Sequence, residues 1–345
     1  MSKSPHRARP KSTKVTIHDV AKEADVSIYA VSRALNDLAG VNPETRERIL
    51  QVSRKLGFRS RQVARPTQFA LVIPDPKTFP QGGYVTNITF HLLLVTSAQG
   101  VGLTLFTEDQ LTDLTRRVFD GIFILTWNEE VIEELHRVSD TPKLAINRFG
   151  LADRFHVVGW DHEAEGRTVA AYLLDRGHQR LGMIALRASF HSTQSRLRGF
   201  REAHEIAGKV LLPEAVELIE THGQLVNAMS RMFELGVDGL YLPGQDRLGI
   251  EALHHAQDVF KKKIPTDVSI VTGENPDWSE LFNPPLTTVG APFELLVQKC
   301  LDHMLGLVAN RPTEPTELLI AIPIIERNTV LDRRSAPSKA RSQHT

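Results

Sequence analysis

Short apolar runs alternate with amphipathic stretches from Phe69 onward, and this pattern restricts the fold more than any other feature of the chain. The first set of runs is FALVIPD, GLTLF, GIFILT, KLAIN and HVVGWD, each bounded by Gly, Asp or Pro. After about residue 162 the pattern restarts with LGMIAL, VELIE, GLYLPG and VSIVTG. Alternation of this kind predicts parallel sheets covered by helices on both faces. Two successive sets predict an α/β body of two doubly wound lobes, with a ligand cleft outside the carboxyl ends of the strands.

Charge is divided unevenly along the 345 residues, although the chain has 41 Lys+Arg and 41 Asp+Glu in all. Residues 1–65 hold 14 basic and 6 acidic residues, and the remainder holds 27 and 35. A basic head on an acidic body is expected when the head binds a polyanion and the body does not. Residues 1–14 are interpreted as a disordered basic arm, because only the segment after them is well patterned.

The cellular setting follows from cysteine usage and hydropathy. Cys300 is the single cysteine, so an intrachain disulfide cannot form and a reducing cytoplasm is expected. The start MSKSPHRARPKSTK has no apolar segment after it, which argues against a secretory signal. No run approaches the roughly 18 apolar residues that a membrane span needs. We therefore expect a cytoplasmic, nucleoid-associated protein with no membrane partner.

Residues 15–58 read as three short helices. Thr16 and Asp19 have the spacing of a capping box, which opens a first helix that runs to about Ala24. Ser27 is a good N-cap for the second helix. The third begins at Asn42-Pro43 and stops at Gly57, which can take the left-handed C-terminal conformation.

The second helix has two unlike faces. At the ideal helical period, the half that carries hydrogen-bond donors consists of Tyr29, Ser32, Arg33 and Asn36. The opposite, apolar half consists of Ala30, Val31, Ala34 and Leu35. Two helices joined by a tight turn, the second with its donors outward, fit a helix-turn-helix reader of the major groove. Arg33 can bond a guanine edge, Tyr29 and Ile28 add a hydrogen bond and an apolar contact, and the helix start favours a phosphate. The alternative is a solvated face of a small helical bundle.

The same segment, VTIHDVAKEADVSIYAVSRALND followed by VNPETRERILQVSRKLGF, closely resembles the DNA-binding head of the LacI/GalR family of transcription regulators. One departure is Asp25, which stands where the turn normally carries Gly; the turn is expected to survive because Asp tolerates the left-handed conformation. Helix reading and resemblance together give the expected DNA-contacting residues: Thr16, Ile17, Ser27, Ile28, Tyr29, Ser32, Arg33, Asn36, Asn42, Thr45, Phe58, Arg61, Ala64 and Arg65.

Residues 59–68, RSRQVARPTQ, correspond to the family's hinge, where a short helix forms on DNA and a leucine wedges into the minor groove. Here the wedge position falls on Thr67, and Pro66 before it disfavours helix. The hypothesis is a weakened hinge helix and a shallower central kink. A plain basic linker is the alternative.

The body resembles the periplasmic-binding-protein-like effector domain of the same family, on the motifs GHQRLGMIA, SRLRGFREA, PPLTTV and ELLIAIPIIERNT. The resemblance implies that residues 69–331 form an effector-binding and dimerisation domain. Its amino lobe takes about 69–161 and 292–316, and its carboxy lobe takes about 162–291 and 317–331. Residues 332–345 are expected to be a disordered tail.

The resemblance also implies a small polar effector such as a sugar or sugar derivative. Its expected contacts are Phe79, Asn147, Arg148, Asp161, Arg196, Gln245, Asp246 and Glu274. Carboxylates and an Arg fork can bond vicinal hydroxyls or an anion once water is excluded. For each polar position the alternative is a salt bridge or a strand-end cap. The stretches Pro243-Gly244-Gln245-Asp246 and KTFPQGGY depart from the family pattern, which favours an unusual ligand or a vestigial site.

The sequence gives little support to the hypothesis that the protein is an enzyme. Gly100-Val101-Gly102 lacks the third glycine of a dinucleotide fingerprint, and His162-Glu163 lacks the second histidine of a zinc motif. No cofactor and no metal are expected.

The prediction is a regulator, most simply a repressor, that binds a pseudo-palindromic operator in double-stranded DNA as a homodimer and responds to its effector. A sugar-binding protein without DNA function is the remaining alternative.

Overall fold

The computed structural model describes residues 15–35, 40–58, 66–77, 83–137, 141–151, 153–186, 190–244, 247–273, 279–290, 292–310 and 314–334. The chain divides into two compact units, which are described separately. Unit 1 consists of Met1–Pro76 and Ser97–Lys143, and unit 2 consists of Lys77–Thr96 and Leu144–Thr345. Among the described residues, no helix combines the length and the apolar character needed to cross a membrane.

The regular elements alternate as the sequence predicts. The helices are α1 Ile17–Glu23, α2 Ile28–Leu35, α3 Pro43–Leu56, α4 Tyr84–Ala98, α5 Leu111–Thr115, α6 Glu129–Arg137, α7 His162–Asp175, α8 His191–Ile206, α9 Leu225–Glu234, α10 Leu248–His254 and α11 Phe293–Asn310. The strands are β1 Gln68–Ile73, β2 Gly102–Thr107, β3 Gly121–Ile124, β4 Lys143–Ile146, β5 His156–Trp160, β6 Leu181–Leu186, β7 Val216–Ile219, β8 Gly239–Leu242, β9 Ser269–Thr272, β10 Thr287–Val289, β11 Glu317–Ile320 and β12 Ile324–Ile325.

The three helices of the head, α1 to α3, pack around one small core in unit 1. Its buried members come from all three helices: Val20, Ala21, Ala24, Val31, Ala34 and Ile49. The helix ends fall where the sequence places them, with Thr16 and Asp19 in a capping box and Gly57 at φ +64° after α3. Asp25 takes φ +50° in the turn between α1 and α2, so the turn survives the loss of glycine as expected.

Unit 1 also contains three parallel strands in the order β2-β1-β3, with Gln68 beside Gly102 and Phe69 beside Gly121. The strand β1 is buried along almost its whole length, as expected for a parallel strand covered on both faces. The Thr67 carbonyl already accepts a hydrogen bond from the Gly102 amide at 2.8 Å. Residues 67 and 68, which were assigned to the hinge, therefore belong to the sheet. Residues 59–65 lie outside the described part of the chain, so the shallow kink stays a prediction.

Unit 2 contains two groups of strands. β4, β5 and β11 are parallel, with β5 in the middle. A second sheet has the order β12-β10-β9-β8-β6-β7, in which β12 is antiparallel to β10 and the other pairs are parallel. Its core includes buried residues from β6, β8 and α9, such as Ile184, Leu240 and Met229. The predicted class of a parallel-sheet α/β body with a small helical head is confirmed.

Two expected boundaries are corrected. Residues 317–320 were assigned to the carboxy lobe, yet β11 pairs with β5, a strand assigned to the amino lobe. Residues 332–334 were assigned to a disordered tail, yet the Arg333 amide donates to the Arg176 carbonyl at 2.8 Å and Arg334 pairs with Asp332. The ordered chain therefore extends at least to Arg334, and the rest of the predicted tail and the basic arm 1–14 are outside the described residues.

Candidate nucleic-acid interface and ligand site

The helix α2 presents its polar half outward. The Ser27 hydroxyl accepts a hydrogen bond from the Ala30 amide at 3.1 Å, which fixes the start of the helix. Val31 and Ala34 are buried against the head core, whereas Ile28 is 41% exposed and Tyr29 is 68% exposed. The division into two faces that the helical period predicts is therefore present, and Ile28 and Tyr29 are accessible to a partner.

Arg33 and Tyr29 contact each other on that outward face, one helical turn apart. The Arg33 Nη1 donates to the Tyr29 hydroxyl at 2.7 Å, and its guanidinium carbon lies 5.2 Å from the centre of the Tyr29 ring. Gly40 lies close by, since a Cβ placed there would be 3.3 Å from the Arg33 Nε. Tyr29 therefore restricts the rotamers of Arg33, which lowers the entropic cost of ordering that side chain when it binds a partner.

Several of the other expected DNA-contacting residues have a clear structural role in the head. Thr16 caps α1, and Asn42 caps α3 by accepting from the Thr45 amide at 2.7 Å. The Thr16 hydroxyl and amide hydrogen-bond the Asp19 carboxylate and lower its pKa. Ile17 and Phe58 pack against the head core. Ser32 is half-buried, and Asn36, Arg61, Ala64 and Arg65 lie outside the described residues.

The expected ligand contacts at the ends of β4 and β5 lie in unit 2. Asn147 takes φ +53°, and its Oδ1 accepts a hydrogen bond from the Trp160 amide at 2.9 Å. The Asp161 carboxylate caps α7 by accepting from the Ala164 amide at 2.8 Å. Both residues thus fill the strand-end role that was the alternative to ligand binding. Arg148 is half-buried beside Asn147; Phe79, Gln245, Asp246 and Glu274 lie outside the described residues.

Arg196 is anchored in a buried polar network. Its Nε donates to the Glu165 carboxylate at 2.8 Å, and the Arg196 side chain is only 13% exposed. The same carboxylate accepts a 2.6 Å hydrogen bond from the Tyr241 hydroxyl on β8 and lies 2.8 Å from His162 Nδ1. The salt bridge that was the alternative reading for Arg196 is therefore present.

The protonation states of this network are set by burial and charge. Burial acts to raise the pKa of Glu165, but the Arg196 charge and the hydrogen bonds from His162 and Tyr241 lower it to about 2. Burial, assisted by the Arg196 charge, lowers the pKa of His162 to about 4. At neutral pH the centre of the network is thus a carboxylate beside a neutral imidazole.

Sequence reasoning missed Glu165, His162 and Tyr241 as members of this site. A signal existed for two of them, because His162 and Glu165 are three residues apart and so share one face of α7. Polar residues on the inward face of a helix indicate a buried network, since buried charges are paired. Nothing local in the GLYL run identifies Tyr241 as a partner of a residue 76 positions earlier.

Two glycines allow the backbones of α7 and α8 to touch, which places Arg196 on α8 against Glu165 on α7. A Cβ at Gly166 would lie 2.0 Å from the Arg196 carbonyl oxygen, and a Cβ at Gly199 would lie 1.8 Å from the Glu163 carbonyl oxygen. Both distances are far below van der Waals contact. The network therefore depends on glycine at both positions.

Comparison with known proteins decides the family. Residues 16–60 match the model described as bacterial regulatory proteins, lacI family, and residues 170–330 match the model of a periplasmic binding protein-like domain. The chain belongs to the LacI family. As a member of this family it is a DNA-binding transcriptional regulator with an effector domain of the ligand-binding kind. The exposed polar face of α2 agrees with DNA binding.

Curated relatives extend over most of this LacI-family chain. It is 26% identical to the catabolite control protein A of Priestia megaterium over 297 residues, which is 81% of this chain and 88% of that protein. It is 25% identical to the HTH-type transcriptional repressor PurR of Vibrio parahaemolyticus over 351 residues, covering 91% and 98% of the two chains.

Solved structures show the same fold at lower sequence identity. The transcriptional regulator CelR in complex with cellobiose has a TM-score of 0.66 at 23% identity, with 92% of this chain and 100% of that chain covered. The lac repressor dimer bound to operator and an anti-inducer has a TM-score of 0.65 at 19% identity, with the same coverage.

Proposed function

We propose that this protein represses transcription as a homodimer on a pseudo-palindromic operator, and that a small polar ligand in unit 2 changes its operator affinity. The observation that carries the proposal is the outward face of α2, where Ile28 and Tyr29 are exposed and Arg33 donates a hydrogen bond to the Tyr29 hydroxyl. One such helix reads too few base pairs for useful specificity, so two heads on two half-sites are required.

Self-association is supported by the apolar surface of α4. Phe90, Leu93 and Leu94 are each about half exposed, and large apolar side chains grouped on one helix favour an interface over a solvated face. The lac repressor structure is a dimer bound to its operator, which supports the same assembly for this chain. A second copy of the chain is therefore the partner proposed for this surface.

A small polar ligand is supported by the polar residues that follow β4 and β5 and by the network around Arg196. Solved regulators of this fold carry cellobiose in one case and ribose in another. The alternative, a regulator without an effector, is supported by the pairing of Arg196 with Glu165, which satisfies part of that arginine. The curated relatives are transcriptional regulators. This supports the proposal that the protein has no enzymatic activity and that it acts on DNA in the cytoplasm.

The test of DNA reading starts from duplexes selected by the full chain out of a random pool. Arg33→Ala is expected to cost about 1–3 kcal/mol of specific binding and to relax the preference at one base position of each half-site. The measurement is the affinity for the selected duplex and for its single-base variants at fixed salt.

The matched control is Lys55→Ala, which removes the same charge from a side chain that pairs with Glu23 elsewhere on the head. It is expected to leave the base preference unchanged. Equal weakening by Arg33→Ala on every duplex would contradict its role as a base-reading residue, and a wild-type chain that selects no duplex would refute the proposed function.

A further inference from the structure

A cavity in unit 1 lies between the helices of the head and the start of the sheet. Its volume is about 280 Å³, close to the roughly 300 Å³ at which small-molecule sites begin. The head contributes Ala34 and Leu35 from α2 and Leu50 from α3, and the sheet contributes Gln68 from β1 and Thr104 from β2. Both sides of the cavity belong to the same unit. A ligand in this cavity therefore contacts the head and the body of one chain.

Three arginines line the same cavity, one from the head and two from the body. Arg46 lies in α3, and Arg116 and Arg117 follow α5. No acidic residue is among the described residues that line it. Arg116 pairs with Asp113 at 3.4 Å in an exposed position, where an ion pair contributes little. Three guanidinium charges around one cavity create a positive potential that attracts an anion.

The two body arginines lie beside a head of the same charge. The body as a whole is acidic, with 27 basic and 35 acidic residues in 66–345, whereas residues 1–65 carry 14 basic and 6 acidic residues. Phe106 of β2 holds Arg117 in place, since the guanidinium carbon lies 5.7 Å from the centre of that ring. Cations placed beside a basic domain repel it unless an anion lies between them. The charge distribution therefore favours an anionic ligand in the cavity.

The cavity lies on the side of α2 that is turned away from a DNA groove. Ala34 and Leu35 belong to the apolar half of the helix, opposite Tyr29 and Arg33, and Ala34 is buried. A duplex that is read by the outward half of α2 is therefore separated from the cavity by the helix itself. This position favours a small molecule over the DNA backbone as the source of the anion.

We propose that this cavity is a second ligand site, which binds a small phosphate ester. A phosphate monoester carries a charge of about −1.5 to −2 and three acceptor oxygens, which suits Arg46, Arg116 and Arg117 better than the two oxygens of a carboxylate. The organic part of the ester lies against apolar residues such as Leu50 and Phe119. Because the ligand contacts the head and the body at once, it stabilises the arrangement of the two that forms the cavity. The site is separate from the effector site proposed in unit 2.

The test is titration calorimetry of the full chain at low ionic strength. The probes are inorganic phosphate and three esters of different size, namely glycerol 3-phosphate, phenyl phosphate and AMP. Glycerol, phenol and adenosine are the uncharged counterparts of the esters. At least one ester is expected to bind at least about tenfold more tightly than its uncharged counterpart and than inorganic phosphate.

Variants on both sides of the cavity test whether the ligand bridges the head and the body. Arg46→Ala changes the head, and Arg116→Ala combined with Arg117→Ala changes the body. Each variant is expected to lower the affinity for the ester at least about tenfold, because charge-assisted hydrogen bonds to the phosphate are lost. The matched control is Arg137→Ala, which removes the same charge from an exposed side chain that pairs with Glu133 on α6. It is expected to leave the affinity unchanged, and thermal unfolding establishes that all variants fold.

Three results would overturn the inference: no binding by any ester at millimolar concentration, inorganic phosphate that binds as tightly as every ester, or wild-type affinity for the ester in either variant. Operator binding without ester is measured for the wild type and for the variant that lacks Arg116 and Arg117. The same affinity and salt dependence are expected for both proteins. A smaller salt dependence in the variant would assign the two arginines to the DNA backbone and reject the small-molecule site. A wild-type chain that binds no duplex would reject the proposed function, while the titrations would still decide the ligand site.

Discussion

Arg196 shows what a single residue reveals in sequence and what it does not. Its motif placed it in a ligand site by resemblance, and the structure pairs it with Glu165 in unit 2. Its partner Glu165, however, is 31 residues away and the third member, Tyr241, is 76 residues from Glu165. A motif names the residue type that is needed, but the charges that surround it come from distant parts of the chain.

At the residue scale, His162 is expected to make folding stability depend on pH. Its pKa is about 4 in the folded chain against an ordinary value of 6.5, so between these values the unfolded chain binds a proton that the folded chain does not. The contribution of this group to the free energy of unfolding is complete above about pH 6.5. It is lost as the pH falls towards 4, which lowers the free energy of unfolding by on the order of 3 kcal/mol. Denaturant unfolding over this pH range should show that the free energy of unfolding depends less steeply on pH in His162→Gln than in the wild type. Identical slopes for the two proteins would show that His162 is not held neutral.

At the scale of elements, the helices begin and end where short-range chemistry dictates. The Thr16–Asp19 capping box, the Asn42 cap and the Gly57 stop are all local features, and each was readable from the sequence. The close approach of α7 and α8 was not, although Gly166 and Gly199 were visible, because a glycine in a helix does not say what lies opposite.

The two glycines give the prediction at this scale. Gly199→Ala is expected to lower the free energy of unfolding by about 3 kcal/mol or more, because its Cβ would overlap the Glu163 carbonyl and separate α7 from α8. Gly306→Ala is the control, since this glycine lies within α11 with nothing near the position of a Cβ. That variant is expected to be neutral or up to about 1 kcal/mol more stable. Similar effects of the two substitutions, measured by thermal unfolding, would contradict the proposed close contact.

At the scale of the whole molecule, specific DNA reading requires two heads, and the surface proposed to join two chains is the apolar face of α4. The face contains residues that a monomer would leave in water, with Phe90 at 55% and Leu94 at 49% exposed. Because a pseudo-palindromic site needs both heads, loss of the dimer should weaken operator binding without any change in α2.

Leu94→Glu places a charge within this face and is expected to weaken self-association at least about tenfold, with a parallel loss of operator affinity. Val210→Glu is the matched control, because Val210 is 82% exposed in the segment after α8. Sedimentation at a series of protein concentrations measures the association. A dimer unaffected by Leu94→Glu, or disrupted equally by Val210→Glu, would place the interface elsewhere.

The sequence by itself determined the class of fold, the helix caps of the head, the strand positions and the two faces of α2, since each rests on residues within a few positions of one another. The tertiary structure alone decided that β11 lies beside β5, that Thr67 and Gln68 join the sheet, and that Arg196 is paired with Glu165. Contacts between distant segments depend on how whole elements pack, and no local period or spacing records which strand or carboxylate will be the neighbour.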